Sequence, residues 1–135
     1  MTKHLISIFM VAAAIPVFAA DSHKLIASVP FNFTAGEVAF QAGDYQITRN
    51  GVVMVAIRSA DRSKAAMVLT NSVVANAPSA TGRLVFFRSG EQYFLSEVWE
   101  PGSSSGSALP PSSKERELRS RSGVPSRARV SVALR

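Results

Sequence analysis

The chain has 135 residues, a formal net charge of +6, 47% hydrophobic and 18% charged residues, and no cysteine. A length of this order holds one domain of ordinary size and excludes large multidomain enzymes. The lack of cysteine excludes disulfides, thiolate nucleophiles, thiolate zinc sites, cysteine-ligated iron–sulfur clusters and the lipid-modified cysteine of a bacterial lipoprotein.

The first segment reads as an export signal. Lys3 supplies a positive start, the stretch from Leu5 to Ala20 carries no charge, and Val17-Phe18-Ala19 presents residues that a signal peptidase accepts. Cleavage after residue 19 is expected, with the remainder exported to the periplasm or the medium. About 16 apolar residues interrupted by Pro16 fall short of the roughly 20 that a spanning helix requires, and no later run is as long. No transmembrane segment is therefore expected after cleavage.

From residue 21 to 113, seven basic residues balance seven acidic ones, whereas 114–135 carries seven basic residues against Glu115 and Glu117. The basic excess of the exported part thus belongs to its tail. Residues 101–113 are mostly Gly, Ser and Pro, a composition that buries too little apolar surface to offset chain entropy. The expected organisation is a signal at 1–19, a β domain at 20–100, a linker at 101–113 and a basic tail at 114–135.

Within 20–100 the apolar residues recur at period two between turn signals. Lys24 to Phe33 reads as a strand, with Pro30 at an edge or bulge because it cannot donate to a ladder. A short strand at Val38 to Phe40 follows, then Asp44 to Arg49. Asn50-Gly51 is the strongest hairpin signal and predicts a two-residue turn that pairs Ile47 with Met54 and Tyr45 with Ala56. Asp61-Arg62-Ser63-Lys64 turns the chain into a strand from Ala65 to about Ala75, which Asn76-Ala77-Pro78 ends.

The last hairpin is predicted at Arg83 to Arg88 and Glu91 to Trp99 around Ser89-Gly90. That register sets Leu84, Phe86, Tyr93, Leu95 and Trp99 on one side, and Val85, Phe87, Phe94 and Val98 on the other. Both faces are apolar, so something must cover the second: a partner sheet, the C-terminal segment, a second subunit or a ligand. The pattern predicts an all-β fold, a small antiparallel sandwich or barrel of about six to seven strands. The basic tail is expected to be disordered or to form a short helix near 113–119, capped by Ser112 or Ser113.

Val29-Pro30-Phe31-Asn32-Phe33, Gln41-Ala42-Gly43-Asp44-Tyr45, Leu84-Val85-Phe86-Phe87, Tyr93 through Trp99 and Ser112 through Glu117 follow the export signal in that order. This run resembles a group of small exported proteins found many times over in acidobacterial-type soil bacteria, across nearly the whole exported chain up to about Leu118. The group has no established activity. The resemblance therefore implies export and a compact β domain, and brings no catalytic residue.

Signals for chemistry are weak. Gly102-Ser103-Ser104-Ser105-Gly106 matches the G-x-S-x-G elbow in form, but that motif needs a strand before it, a helix after it and a histidine base. Here it sits in the Ser/Gly stretch, and after signal removal the only histidine is His23. No catalytic residue, metal site or cofactor is expected. Gln41 to Tyr45 resembles a tyrosine corner, in which the phenol bonds backward to the main chain.

The sequence leaves three classes of function. The first is a non-catalytic envelope module with a structural or binding role, including self-association. Within it falls capture of a small apolar ligand, with Tyr45, Tyr93 and Trp99 as aromatic candidates. The second is a binder of polyanions or anionic membrane surfaces, with Arg116, Arg119, Arg121, Arg127 and Arg129 as candidate phosphate contacts. An enzyme is the third and least supported.

Overall fold

Pro30 cannot donate to a strand ladder, and the first strand, β1 (Lys24–Val29), stops in front of it. The computed structural model describes residues 24–51, 53–121 and 128–134. The expected export signal lies outside them. After β1 come β2 (Phe33–Ala35), β3 (Val38–Phe40), β4 (Gly43–Asn50), β5 (Met54–Ser59) and β6 (Ala65–Leu69). The order continues with β7 (Asn71–Val74), β8 (Arg83–Ser89), β9 (Gln92–Trp99), β10 (Ser105–Ala108), α1 (Ser113–Arg121) and β11 (Ala128–Ala133).

The strands form two sheets. One has the order β1-β4-β5-β6 and is antiparallel throughout. The other has the order β11-β8-β9-β10-β7, with the β2–β3 hairpin beside β9. The Thr34–Phe94 pair that joins β2 to β9 is parallel, so this sheet is mixed rather than purely antiparallel. Leu25, Ala27, Ile47, Val55 and Ile57 of the first sheet share one core with Phe33, Leu84, Phe86, Leu95 and Val98 of the second.

The expected barrel is not formed. Along one seam the sheets touch through a single bridge, Ala27 to Leu134. Along the other, β6 and β7 end their sheets without pairing to each other. The expected single strand from Ala65 to about Ala75 is divided at Thr70, whose N–H donates to the Val53 carbonyl at 2.8 Å. Its first half joins one sheet and its second half the other.

Both predicted hairpin registers are displaced. In the first, Asn50 pairs with Met54 and Ile47 with Ile57, which puts three residues between the strands instead of two, with Gly51 at φ 63°. The predicted two-residue turn would have sent Met54 and Ala56 inward and Val55 and Ile57 outward. The longer loop reverses that parity and buries Val55 and Ile57 completely. Core filling outweighs the local preference of Asn-Gly.

In the last hairpin Ser89 pairs with Gln92, and Gly90 at φ 60° takes the first of two loop positions, where a type II′ turn places glycine. The register then slips between Val85 and Phe86: Phe86 faces Leu95 while Val85 faces Glu97, which leaves Ser96 as the extra residue of a bulge. The Ser96 carbonyl accepts the Leu109 N–H at 2.8 Å. Past this bulge the faces interchange. Leu95 and Val98 both enter the core, and Trp99 joins the outer face instead of the inner one.

The Gly/Ser/Pro stretch expected as a linker carries β10, which pairs with both β9 and β7. Its small residues are a packing requirement: a Cβ on Gly106 would lie 2.8 Å from atoms of the Trp99 ring. The tail expected to be disordered or at most helical forms α1 and then β11, which pairs with β8 from Arg88–Ala128 to Arg83–Ala133. Ser112 is the helix cap, its hydroxyl accepting the Glu115 N–H at 3.1 Å and its carbonyl the Arg116 N–H at 2.9 Å. Glu37, in the β2–β3 turn, accepts both the amide and the hydroxyl of Ser113, placing a carboxylate at the helix N-terminus.

Candidate functional site

The three aromatic candidates occupy three different environments. Tyr45 points inward from β4 and is buried between Phe33 and Phe40, with ring centroids 5.2 and 5.4 Å away. Its hydroxyl donates to the Gln41 carbonyl, the backward bond of a tyrosine corner. Burial, and after it the Asp61 carboxylate, pushes the phenol above its ordinary pKa of 10. Tyr93 is half-buried and stacks on Phe31 at 3.8 Å, with the Arg88 guanidinium 5.6 Å from its ring.

Trp99 lies on the outer face of the second sheet, over Gly106, with the Arg83 guanidinium 5.1 Å from its ring. Its indole N–H donates to one oxygen of Glu97 at 2.8 Å, and the other oxygen accepts from Arg129. Trp99 is only 5% exposed, and its ring lies directly against Gly106. Each aromatic is thus held by neighbours of its own chain, and the three do not converge on one site.

Three of the tail arginines are also engaged individually. Arg119 stacks over the Phe87 ring at 4.7 Å and pairs with the buried Glu115 carboxylate at 2.8 Å. Arg121 pairs with Glu117 at 2.6 Å, and Arg129 with Glu97. Arg116 is exposed, beside Pro110 and Pro111. Arg127 lies outside the described residues. Three of these cations thus have an acidic partner, Glu115 and Glu117 on the helix and Glu97 on β9, while Arg121 and Arg129 remain largely exposed beside theirs.

A buried polar cluster escaped the sequence reading. Arg49 is only 6% exposed, its Nε donates to Ser107 at 3.0 Å, and its Nη1 lies 3.4 Å from Glu100. The signal was present in the alternation, because Arg49 stands two residues beyond Ile47 and four beyond Tyr45 on the inward side of β4. Its partners are Ser107 on β10, within the stretch expected as a linker, and Glu100 just after β9, the last residue of the expected β domain.

Three of the open surface hollows are lined by described residues. One of about 480 Å³ sits over Tyr45, between Asp44 and the 59–64 turn. There Asp61 accepts from the hydroxyls of Ser59 and Ser63 and from the Ser63 N–H, and these bonds hold its carboxyl at about 2. A second, of about 370 Å³, lies beside Tyr93 and Lys114. The third, of about 490 Å³, follows β6 from Ala66 to Leu69. None of the three is lined by Trp99.

In the Gly102 to Gly106 segment Ser103 bonds to Ser105, and the chain enters β10 rather than a helix, so the nucleophile-elbow geometry is not formed. Among the described residues no three His, Asp or Glu side chains are grouped to hold a metal ion, and no helix is long and apolar enough to cross a membrane. No protein-family model matches the chain, and neither a curated protein nor a solved structure does.

Proposed function

We propose that this chain is an exported, non-catalytic protein of the bacterial envelope whose β domain, a small two-sheet sandwich, acts as a structural module. The observation that carries this reading is how the aromatic and charged side chains are used. Tyr45, Phe33, Phe40 and Phe86 fill the inter-sheet space, and Tyr45 and Trp99 have their polar tips bonded within the chain. No buried side-chain nitrogen or oxygen among the described residues lacks a partner. Such an interior favours a packed scaffold over a carrier with a lined apolar cavity.

The reading joins that packing to the export signal expected at 1–19. Two measurements on native material test it. Protein from the envelope fraction should begin at Ala20 or Asp21, and its organic extract, read by mass spectrometry, should contain no stoichiometric apolar molecule. An intact Met1 would overturn export, and a one-to-one lipid would overturn the structural module in favour of a carrier.

A further inference from the structure

We propose that the hollow beside Tyr93 and Lys114 is a binding site for a short acidic saccharide, which sets a carboxylate between Lys64 and Lys114 and its hydroxyls against the neutral side chains around them. The site lies on the surface and is independent of export and of the packed interior. Of the three hollows described, this is the one whose lining carries more cations than carboxylates, with Lys64 and Lys114 against Glu91. The hollow over Tyr45 sets Asp44 and Asp61 against Lys64, and the one along β6 sets Glu37 against Arg116.

The two lysines reach this place from the turn before β6 and from the first turn of α1. Neither forms an ion pair among the described residues, in contrast to Arg119, Arg121 and Arg129 of the tail. Glu91 shares the lining without pairing to either. Outside the described residues Asp21 is the only acidic side chain. It precedes Lys24, which opens β1 at the end facing Thr48, whereas the hollow lies past the other end, where Asn32 and Gln41 line it. The strand between spans roughly 17 Å, and three residues reach at most about 11 Å. The two ammonium groups thus leave a place for an anion that the chain does not supply.

Lys114 stands in the first turn of a helix, where the macrodipole disfavours a cation. A charge kept against local electrostatics is the kind of rule-breaking that functional positions show. Lys64 is steadied on the wall of the hollow by Phe40, with its ammonium 5.6 Å from the ring centroid. The side-chain oxygen of Asn32 accepts the Ala42 N–H at 2.9 Å, which leaves its NH2 group as a donor. Gln41 and Gln92 add further uncharged donors and acceptors, and Tyr93 an aromatic edge. An inorganic anion would use only the ammonium groups, and a fatty acid would meet too many polar walls. An acidic sugar uses every kind of group present. A volume of about 370 Å³ is near the lower end for small-ligand clefts, so the hollow takes the end of a short saccharide rather than a run of polymer.

Isothermal titration calorimetry of the purified chain with a trimer of galacturonic acid tests this, beside a trimer of galactose and inorganic phosphate. The acidic trimer should bind saturably at a single site per chain, and the other two should bind at least about tenfold more weakly. Lys64→Gln and Lys114→Gln should each weaken binding by about fivefold or more, while Arg121→Gln, exposed on the same helix, should leave it unchanged. Lys114→Gln should also melt no lower than the wild type, because it relieves the helix N-terminus, so its loss of binding is not a loss of fold. Absence of saturable binding, equal binding of galactose trimer or phosphate, undiminished affinity in either lysine variant, an equal loss in Arg121→Gln, or a lower melting temperature in Lys114→Gln would each overturn the proposal.

Discussion

Arg49 of β4 and Glu100, the residue that follows β9, form an ion pair from one sheet to the other at 3.4 Å, with the arginine buried and the glutamate 22% exposed. Removing one member of such a pair strands the other charge, whereas an apolar replacement of the buried member need not destabilise. Glu100→Gln should therefore cost about 1–3 kcal/mol, less than for a wholly buried pair because Glu100 is partly solvated, and Arg49→Met should cost less than Glu100→Gln. Equilibrium urea denaturation of both variants checks the order, and a reversed order would show that the guanidinium stabilises through its packing.

Phe86 is fully buried and meets Phe31 and Phe33 edge-on, with centroids 4.9 and 5.3 Å away. Phe86→Ala should cost about 3–5 kcal/mol, comparable to the whole margin of a small domain, with unfolding or aggregation as the visible result. The Leu84 to Phe87 run has the composition of an aggregation-prone segment, safe only while paired and covered, with Arg83 and Arg88 flanking it. A loss below about 1 kcal/mol in chemical denaturation would contradict a filled core.

Deleting residues 114–135 tests the role of the tail. A solvated basic tail could be removed at little thermal cost, but here the deletion strips β11 from β8 and the Arg119 cover from Phe87. The melting temperature should fall by more than about 10 °C, as the loss of a few kcal/mol does in a domain of this size. The three acidic partners on Arg119, Arg121 and Arg129 also lead us to expect weak heparin retention for the intact chain at physiological salt. Retention that withstands high salt would revive the polyanion reading.

Asp61 provides a pH test. Its carboxyl stands at about 2 in the folded chain against an ordinary 3.8, because of the hydroxyl and amide bonds from Ser63 and Ser59. A carboxyl with a depressed folded pKa stabilises above its unfolded value, and that contribution disappears as the pH falls through the folded one. Asp61→Asn should accordingly flatten the acid limb of stability between about pH 4 and pH 2 and leave its slope near neutrality unchanged. A carboxyl resonance of Asp61 titrating near 3.8 by NMR would refute the turn geometry.

Element type was legible where side-chain alternation is strong. Val38–Phe40 forms the predicted strand, β4 presents Tyr45 and Ile47 inward, and Ser112 starts the expected short helix. Register was not legible, because it was inferred from turn propensity alone. Asn50-Gly51 favours a two-residue turn, yet burial of Val55 and Ile57 needs the opposite parity. Ser96 offers no local sign that it is a bulge, so Val98 and Trp99 were assigned to each other's face. The Gly/Ser stretch around Gly106 was misread for a related reason. Composition registers low burial capacity but does not register that a tryptophan lying across a strand requires a glycine beneath it. For the sites, the aromatic residues were found but their use in packing was not, since ring neighbours such as Phe31 and Tyr93 are distant in sequence.

The pairing of β11 with β8, and the bridge from Ala27 to Leu134, also set a schedule for folding. The strand that completes the second sheet is separated from its partner by the whole β9–β10–α1 segment, and the bridge joins the first described strand to the last. Long-range contacts of this kind form slowly, because loop-closure entropy is spent before the contact is gained. A chain emerging in sequence order therefore holds β8 with one flank open until residues 128–133 arrive.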